Sequence, residues 1–132
     1  MDSSKKLEWI LRIGVAGEFF GHGVFALQRR PEWVRWVHDL SGMGEQAASD
    51  FIFYVGVVDV LLAILVLVRP VRIALLWMAF WGFWTALVRP LVGSDLWGKD
   101  VWDFVERWAN WAAPLALLAL KGRAYSVREW FR

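Results

Sequence analysis

The chain has 132 residues and no cysteine, and 58% of it is hydrophobic against 21% charged. Disulfides, thiol chemistry and Cys-ligated metal centres are therefore excluded, and a net charge of +2 spread along the chain is no nucleic-acid footprint. Soluble domains carry an apolar fraction of about 45–50%, and the excess here lies in four long runs: 7–27, 51–68, 71–91 and 101–120.

Each run matches the roughly 20 residues that cross ~30 Å of hydrocarbon at ~1.5 Å per residue. A soluble four-helix bundle would keep a polar face along every helix, and the stretches 60–68 and 115–120 have none. The sequence thus predicts an all-α, membrane-embedded antiparallel four-helix bundle in one domain over 1–132, with no repeat and no low-complexity tract.

The first span, 7–27, starts after Lys5 and Lys6, as a signal peptide would. It carries Arg12, Glu18 and His22, however, and Gln28-Arg29-Arg30-Pro31 follows where a small-residue cleavage site would stand. Gly14, Gly17, Gly21 and Gly23 thin the helix around Glu18 and His22, which suits close approach of a neighbouring helix. The connection 28–50 holds a helix of its own, about 31–40. Pro31 opens it, and Trp33, Trp36, Val37 and Leu40 follow the i, i+3, i+4, i+7 spacing of an amphipathic helix lying at the membrane interface. Ser41-Gly42-Met43-Gly44 ends it.

Span two, 51–68, has Asp59 at its centre. The turn Val68-Arg69-Pro70-Val71-Arg72 is too short for anything but an antiparallel return into span three. Arg89 sits near the far end of that span, which Pro90 and Gly93 are expected to close. In span four, 101–120, the residues Asp103, Glu106, Arg107, Asn110 and Pro114 share about one third of a helical wheel drawn at ~100° per residue. Lys5, Lys6, Arg69, Arg72, Lys121, Arg123, Arg128 and Arg132 fall on one side of the spans, eight against five on the other. The positive-inside rule places both termini in the cytoplasm, and we expect a bacterial or archaeal cytoplasmic (inner) membrane.

Spans one, two, three and four thus put Glu18, His22, Asp59, Arg89, Glu106, Arg107 and Asn110 between the midplane and the outer surface. A charge near the bilayer centre costs about 2.5 kcal/mol or more, so these groups should turn inward and pair. They predict a polar pocket that opens outward. One reading is a set of ion pairs that only fixes helix register. Against it, four acids (Glu18, Asp59, Asp103, Glu106) face two arginines, an imbalance that calls for protons or for a bound polar ligand. Dimetal sites in bundles use paired Glu-x-x-His motifs, whereas here one His lies in a span beside two arginines, so no metal site is expected. Haem is disfavoured too, since His38 falls in the surface helix. A quinone or a bound lipid suits the set better, with Phe19, Phe20, Trp77, Trp81, Trp84 and Trp111 available as cleft walls.

The stretches "LRIGVAGEFFGHGVFAL", "VGVVDVLLAILVLVRPVRIALLWMAFWGFWTAL" and "ERWANWAAPLALLAL" resemble the spans of DoxX-like membrane proteins. Arg12, His22 and Asp59 are the positions that match; the Trp density and the Glu106-Arg107 pair have no counterpart in the resemblance. It implies a four-helix membrane protein of a heterogeneous family, with members linked to thiosulfate:quinone oxidoreduction, membrane redox complexes or membrane-protein assembly, and it assigns no catalytic residue. The expectation is a small accessory subunit that partners other integral membrane subunits or a homo-oligomer within membrane lipids, with no nucleic-acid partner. The alternative is a proton- or cation-coupled transporter acting as a homo-oligomer. A free-standing enzyme is disfavoured, because no nucleophile motif or cofactor fingerprint accompanies Glu18 and His22.

Overall fold

A computed structural model describes residues 2–132, and these residues form helices joined by short turns, with no strand among them. In chain order the long elements are α1 (Ser3–Leu27), α2 (Pro31–Ser41), α3 (Glu45–Val68) and α4 (Arg72–Val92). A π-helical turn, Leu96–Asp100, leads into α5 (Val101–Val105) and α6 (Ala109–Leu120), and a last short turn of helix, α7, covers Val127–Trp130. Three helices, α1, α3 and α4, are long and apolar enough to cross a membrane. Only 28–39% of the most apolar stretch of each is buried within the protein. Side chains such as Ile10, Ile13, Phe20, Tyr54, Leu61, Ile64 and Phe80 therefore form an outward apolar surface, which is the surface a bilayer, and not water, would cover.

The helix ends follow local chemistry. Asp2 caps α1 through the Lys5 N–H at 2.9 Å. Pro31 occupies the first turn of α2, where its missing N–H is no loss, and Gly42 ends that helix in the left-handed conformation at φ 73°. Of the two residues expected to close α4, Gly93 does so and Pro90 does not: the helix runs through Pro90 to Val92 and stops at Gly93. A proline one turn from a helix end sacrifices a single hydrogen bond, to the Ala86 carbonyl, and leaves little helix beyond to distort.

The predicted fourth span is the larger departure. Residues 101–120 do not form one α-helix: Glu106, Arg107 and Trp108 make a tight turn between α5 and α6. There the Arg107 N–H donates to the Phe104 carbonyl and the Trp108 N–H to the Val105 carbonyl, both at 3.2 Å and both three residues back. Three-residue bonding advances ~120° per residue instead of ~100°, so the face drawn through Asp103, Glu106, Arg107 and Asn110 is not preserved. Glu106 is exposed.

The helices pack as two close pairs. Gly23 on α1 meets α3 where a Cβ would lie 3.1 Å from the Gly56 carbonyl, and a Cβ on Gly56 would lie 2.8 Å from the Gly23 carbonyl. The glycines expected to flank Glu18 do not serve this purpose, since Gly14, Gly17 and Gly21 have no neighbour within 4 Å of a built Cβ. On the other side Gly82 of α4 lies against the Asn110 carbonyl of α6. Pro114, inside α6, lacks the N–H that would bond that carbonyl, which leaves its oxygen free to face the Gly82 Cα.

A core of Val15, Ala16, Phe19, Ala63, Val66, Leu75, Met78 and Leu117 joins α1, α3, α4 and α6 in the half of the molecule nearer the two termini. At that end two arginines fasten helix C-termini. Buried Arg12 donates from Nε to the Val66 carbonyl at 2.9 Å and from Nη2 to the Leu67 carbonyl, while its guanidinium lies 4.0 Å from the Trp9 ring centre. Arg72 donates to the carbonyls of Lys121 at 2.6 Å and Glu129 at 3.0 Å. At the opposite end a smaller cluster of Ala26, Val34, Ala48 and Ile52 seats α2 on α1 and α3. Although α3 and α4 are consecutive, they touch each other far less than α1 touches α3 or α4 touches α6. The bundle is open along that seam.

Candidate functional site

The open seam contains a cavity of about 250 Å³. Its walls come from four elements: His22 of α1; Phe51, Ile52, Val55 and Asp59 of α3; Trp81, Trp84, Thr85, Val88 and Arg89 of α4; and a roof of Trp33, Trp36, Val37, Leu40 and Ser41 of α2, with Met43 beyond it. Neither α5 nor α6 contributes. Four tryptophans and the aliphatic side chains make the lining overwhelmingly apolar, as in sites that take organic ligands with a few placed polar groups.

The depth of the polar groups follows from the antiparallel turn. Asp59 lies nine residues before the end of α3, and Trp81 lies nine residues after the start of α4, so the two are level. Arg89 stands eight residues farther along α4, about 12 Å toward the α2 end at ~1.5 Å per residue. Asp59 is 3% exposed and Arg89 8% exposed. Arg89 donates to the Thr85 carbonyl at 2.7 Å and sits 5.3 Å from the centre of the Trp36 ring, which ties α4 to the roof. The His22 ring lies 5.4 Å from that of Trp33, tilted by 42°. Thr85 is satisfied by its own helix, its Oγ1 donating to the Trp81 carbonyl at 2.9 Å. Trp81 stacks on Trp77 at 5.6 Å, nearly parallel, so its indole forms a braced wall.

Among the described residues, every ion pair lies elsewhere: Arg12 with Glu8, Arg29 with Asp50, Arg30 with Glu32, Lys99 with Asp103, and Arg107 with Glu106. Asp59 is thus a buried carboxyl that faces an apolar cavity without a cation against it. Arg89 is a buried guanidinium with a carbonyl and an aromatic ring for partners and no carboxylate.

Of the seven residues expected in the pocket, the fold brings His22, Asp59 and Arg89 to one cavity. Glu18 is half-buried one helical turn from His22, within electrostatic reach of Asp59 but not on the cavity wall. Glu106 and Arg107 pair with each other at 2.6 Å, and Arg107 also donates to the Asp103 carbonyl at 2.8 Å. The Arg107 charge reaches His22 and Arg89 without lining the site. Asn110 is engaged through its backbone at the α4–α6 contact. Among the described residues no group of three His, Asp or Glu side chains is arranged to hold a metal.

The aromatic walls also differ from the expected set. Trp81 and Trp84 line the cavity, whereas Phe19 is core, Phe20 faces outward and Trp111 packs on Phe83 at 6.2 Å. Trp33 and Trp36, expected on an amphipathic helix at the membrane interface, form the roof of the cavity, a role their spacing did not reveal. The spacing of an amphipathic helix reports an apolar face; it does not distinguish lipid from a protein cavity beneath it. Compared with known families, with characterised proteins and with solved structures, the chain matches none.

Proposed function

We propose that the protein is a small integral-membrane accessory subunit whose α3–α4 cavity holds the head of a lipid-soluble ligand, a quinone or a lipid. The single observation that carries the reading is the cavity itself: apolar, aromatic and open between two membrane-length helices, with His22, Asp59 and Arg89 as its charged or titratable wall residues. An apolar cavity of about 150 Å³ takes up benzene, so 250 Å³ suits a substituted ring but not a whole lipid, and the tail must leave through the seam. His22 and Arg89 supply donors for carbonyl oxygens, and Asp59 supplies a carboxyl group able to exchange a proton. In this reading 101–120 forms the fourth crossing as a two-part helix, and both termini face the cytoplasm. The likeness of the spans to DoxX-like proteins is the reason to place the subunit beside a larger, redox- or quinone-linked membrane complex.

The test is native mass spectrometry of the protein extracted gently from its own membrane. Additional integral subunits together with a retained quinone- or lipid-sized mass, the mass lost in His22→Ala and Arg89→Ala, are the expected result. A bare chain or homodimer that carries nothing, and that fails to take up added quinone in nanodiscs, would refute it. Asp59, buried without a cation, favours a second reading, a proton- or cation-coupled transporter acting as a homo-oligomer. Proton flux in liposomes that disappears in Asp59→Asn would select that reading over the first.

A further inference from the structure

Asp59 requires an account that a neutral ring-headed ligand does not provide. A carboxylate removed from water in apolar surroundings must be neutralised by a proton or by a cation. Among the described residues, no ion pair offers it a cation. Its surroundings are instead those that bind an organic cation: a carboxyl group 3% exposed, level with an indole that stacks on Trp77, in a cavity that Trp84 also lines. Faces of indole rings attract cations, most strongly where both are desolvated.

We propose that the deep half of the cavity is a binding site for lipophilic organic ammonium ions, taken up through the α3–α4 seam in exchange for the proton of Asp59. The exchange balances as one carboxylic acid plus one ammonium ion giving one carboxylate–ammonium pair plus one released proton. No covalent bond to the ligand forms or breaks. This goes beyond the quinone or lipid reading and does not depend on it.

The other charges around the cavity are placed so as not to occupy this position. Glu18 on α1 is within electrostatic reach of Asp59 but is not on the cavity wall. Arg89 on α4 is turned to the Thr85 carbonyl and Trp36, two helical turns toward the α2 end. Arg107 is held by Glu106 and the Asp103 carbonyl, and Arg30 lies over the rings of Phe25 and Trp33 outside the cavity. The wall residues of α2 carry no charge. The cavity thus has an exchangeable carboxyl group at its deep end and a guanidinium, already engaged, toward its rim.

Benzyltrimethylammonium is the probe: one ring, one permanent charge, and dimensions in keeping with 250 Å³. The full chain in lipid nanodiscs is titrated by calorimetry in two buffers of different ionisation enthalpy, which counts protons released. Neopentylbenzene, its uncharged carbon isostere, serves as the control. The expected result is saturable binding of the cation at least ~10-fold tighter than of the isostere, as one desolvated cation–π contact reinforced by a charge pair implies. One proton should be released per cation. Asp59→Asn should lose both the preference and the proton release, Asp59→Glu should keep both, and Trp81→Leu should weaken the cation more than the isostere. Equal affinity for cation and isostere in the unaltered protein, binding without proton release, or full binding by a folded Asp59→Asn would each overturn the proposal. Ubiquinone titrated into the same nanodiscs binds without releasing a proton, so the quinone reading and this one can each fail alone.

Discussion

Replacing Gly82 with alanine tests the packing that holds the cavity wall in place. A Cβ on Gly82 would overlap the Asn110 carbonyl, lying 2.8 Å from its carbon where ordinary contact begins at 3.4 Å. The obstacle is backbone on both sides, so α4 and α6 must separate by at least ~0.6 Å, and overpacking of this kind costs about 1–3 kcal/mol. The separation also removes the approach of the Gly82 Cα–H to the oxygen that Pro114 leaves free, a contact worth about 0.5–1 kcal/mol. Alanine recovers about 0.5–1 kcal/mol of helix-forming tendency over glycine. The net expectation is a loss of about 2 kcal/mol. Gly17→Ala is the control: with nothing within 4 Å it should keep only the gain. Both are compared by helical circular dichroism during unfolding of purified protein in mixed micelles of rising SDS fraction. If Gly82→Ala unfolds no earlier than Gly17→Ala, the close contact between α4 and α6 is not a constraint, and the placement of Trp81, Trp84 and Arg89 needs another explanation.

Arg12→Ala should destabilise the same unfolding transition by about 2–4 kcal/mol, since it abandons two carbonyls at the end of α3, each bonded to a charged donor. Arg12→Lys should recover only part of this, because an ammonium cannot span both carbonyls while lying over Trp9. Glu106→Ala should change stability by less than ~1 kcal/mol, as exposed pairs do, and should leave ligand uptake by the cavity unaltered, since Glu106 does not line it. Lys121, just beyond α6, has its ammonium held below the usual lysine range, first by burial and then by Arg72. The unfolded chain therefore binds more protons there, so this group makes stability rise with pH up to about 10.5. Lys121→Met should flatten that rise in pH-dependent unfolding, and an unchanged slope would contradict the assignment.

Much of the architecture was legible in the sequence because it rests on local properties. Runs of about twenty apolar residues admit few alternatives to long helices, and Pro31, Gly42 and the short 69–71 turn act within a residue or two of their own position. Three of the four expected spans, α1, α3 and α4, follow from that alone, as does α2. Burial of Asp59 and Arg89 also follows, since polar groups within apolar helices turn away from hydrocarbon. The two-part fourth segment did not follow. A helical wheel assumes one angle per residue, and the three-residue bonding of Arg107 and Trp108 broke that assumption, so Arg107 and Asn110 no longer share a face with Asp103 and Glu106.

What the sequence by itself determined is the inventory: membrane-length helices, an amphipathic α2, and a set of charges that had to be sheltered. Only the tertiary structure decided which of them meet. The Gly23–Gly56 and Gly82–Asn110 approaches draw α1 to α3 and α4 to α6, and that pairing leaves the seam between the sequence neighbours α3 and α4 open. The apolar face of α2 found protein beneath it, so Trp33 and Trp36 became a roof over His22, Asp59 and Arg89. Periodicity along one chain describes each helix about its own axis; which axes pack closely depends on surface shape at contacts far apart in sequence, and no single segment records that.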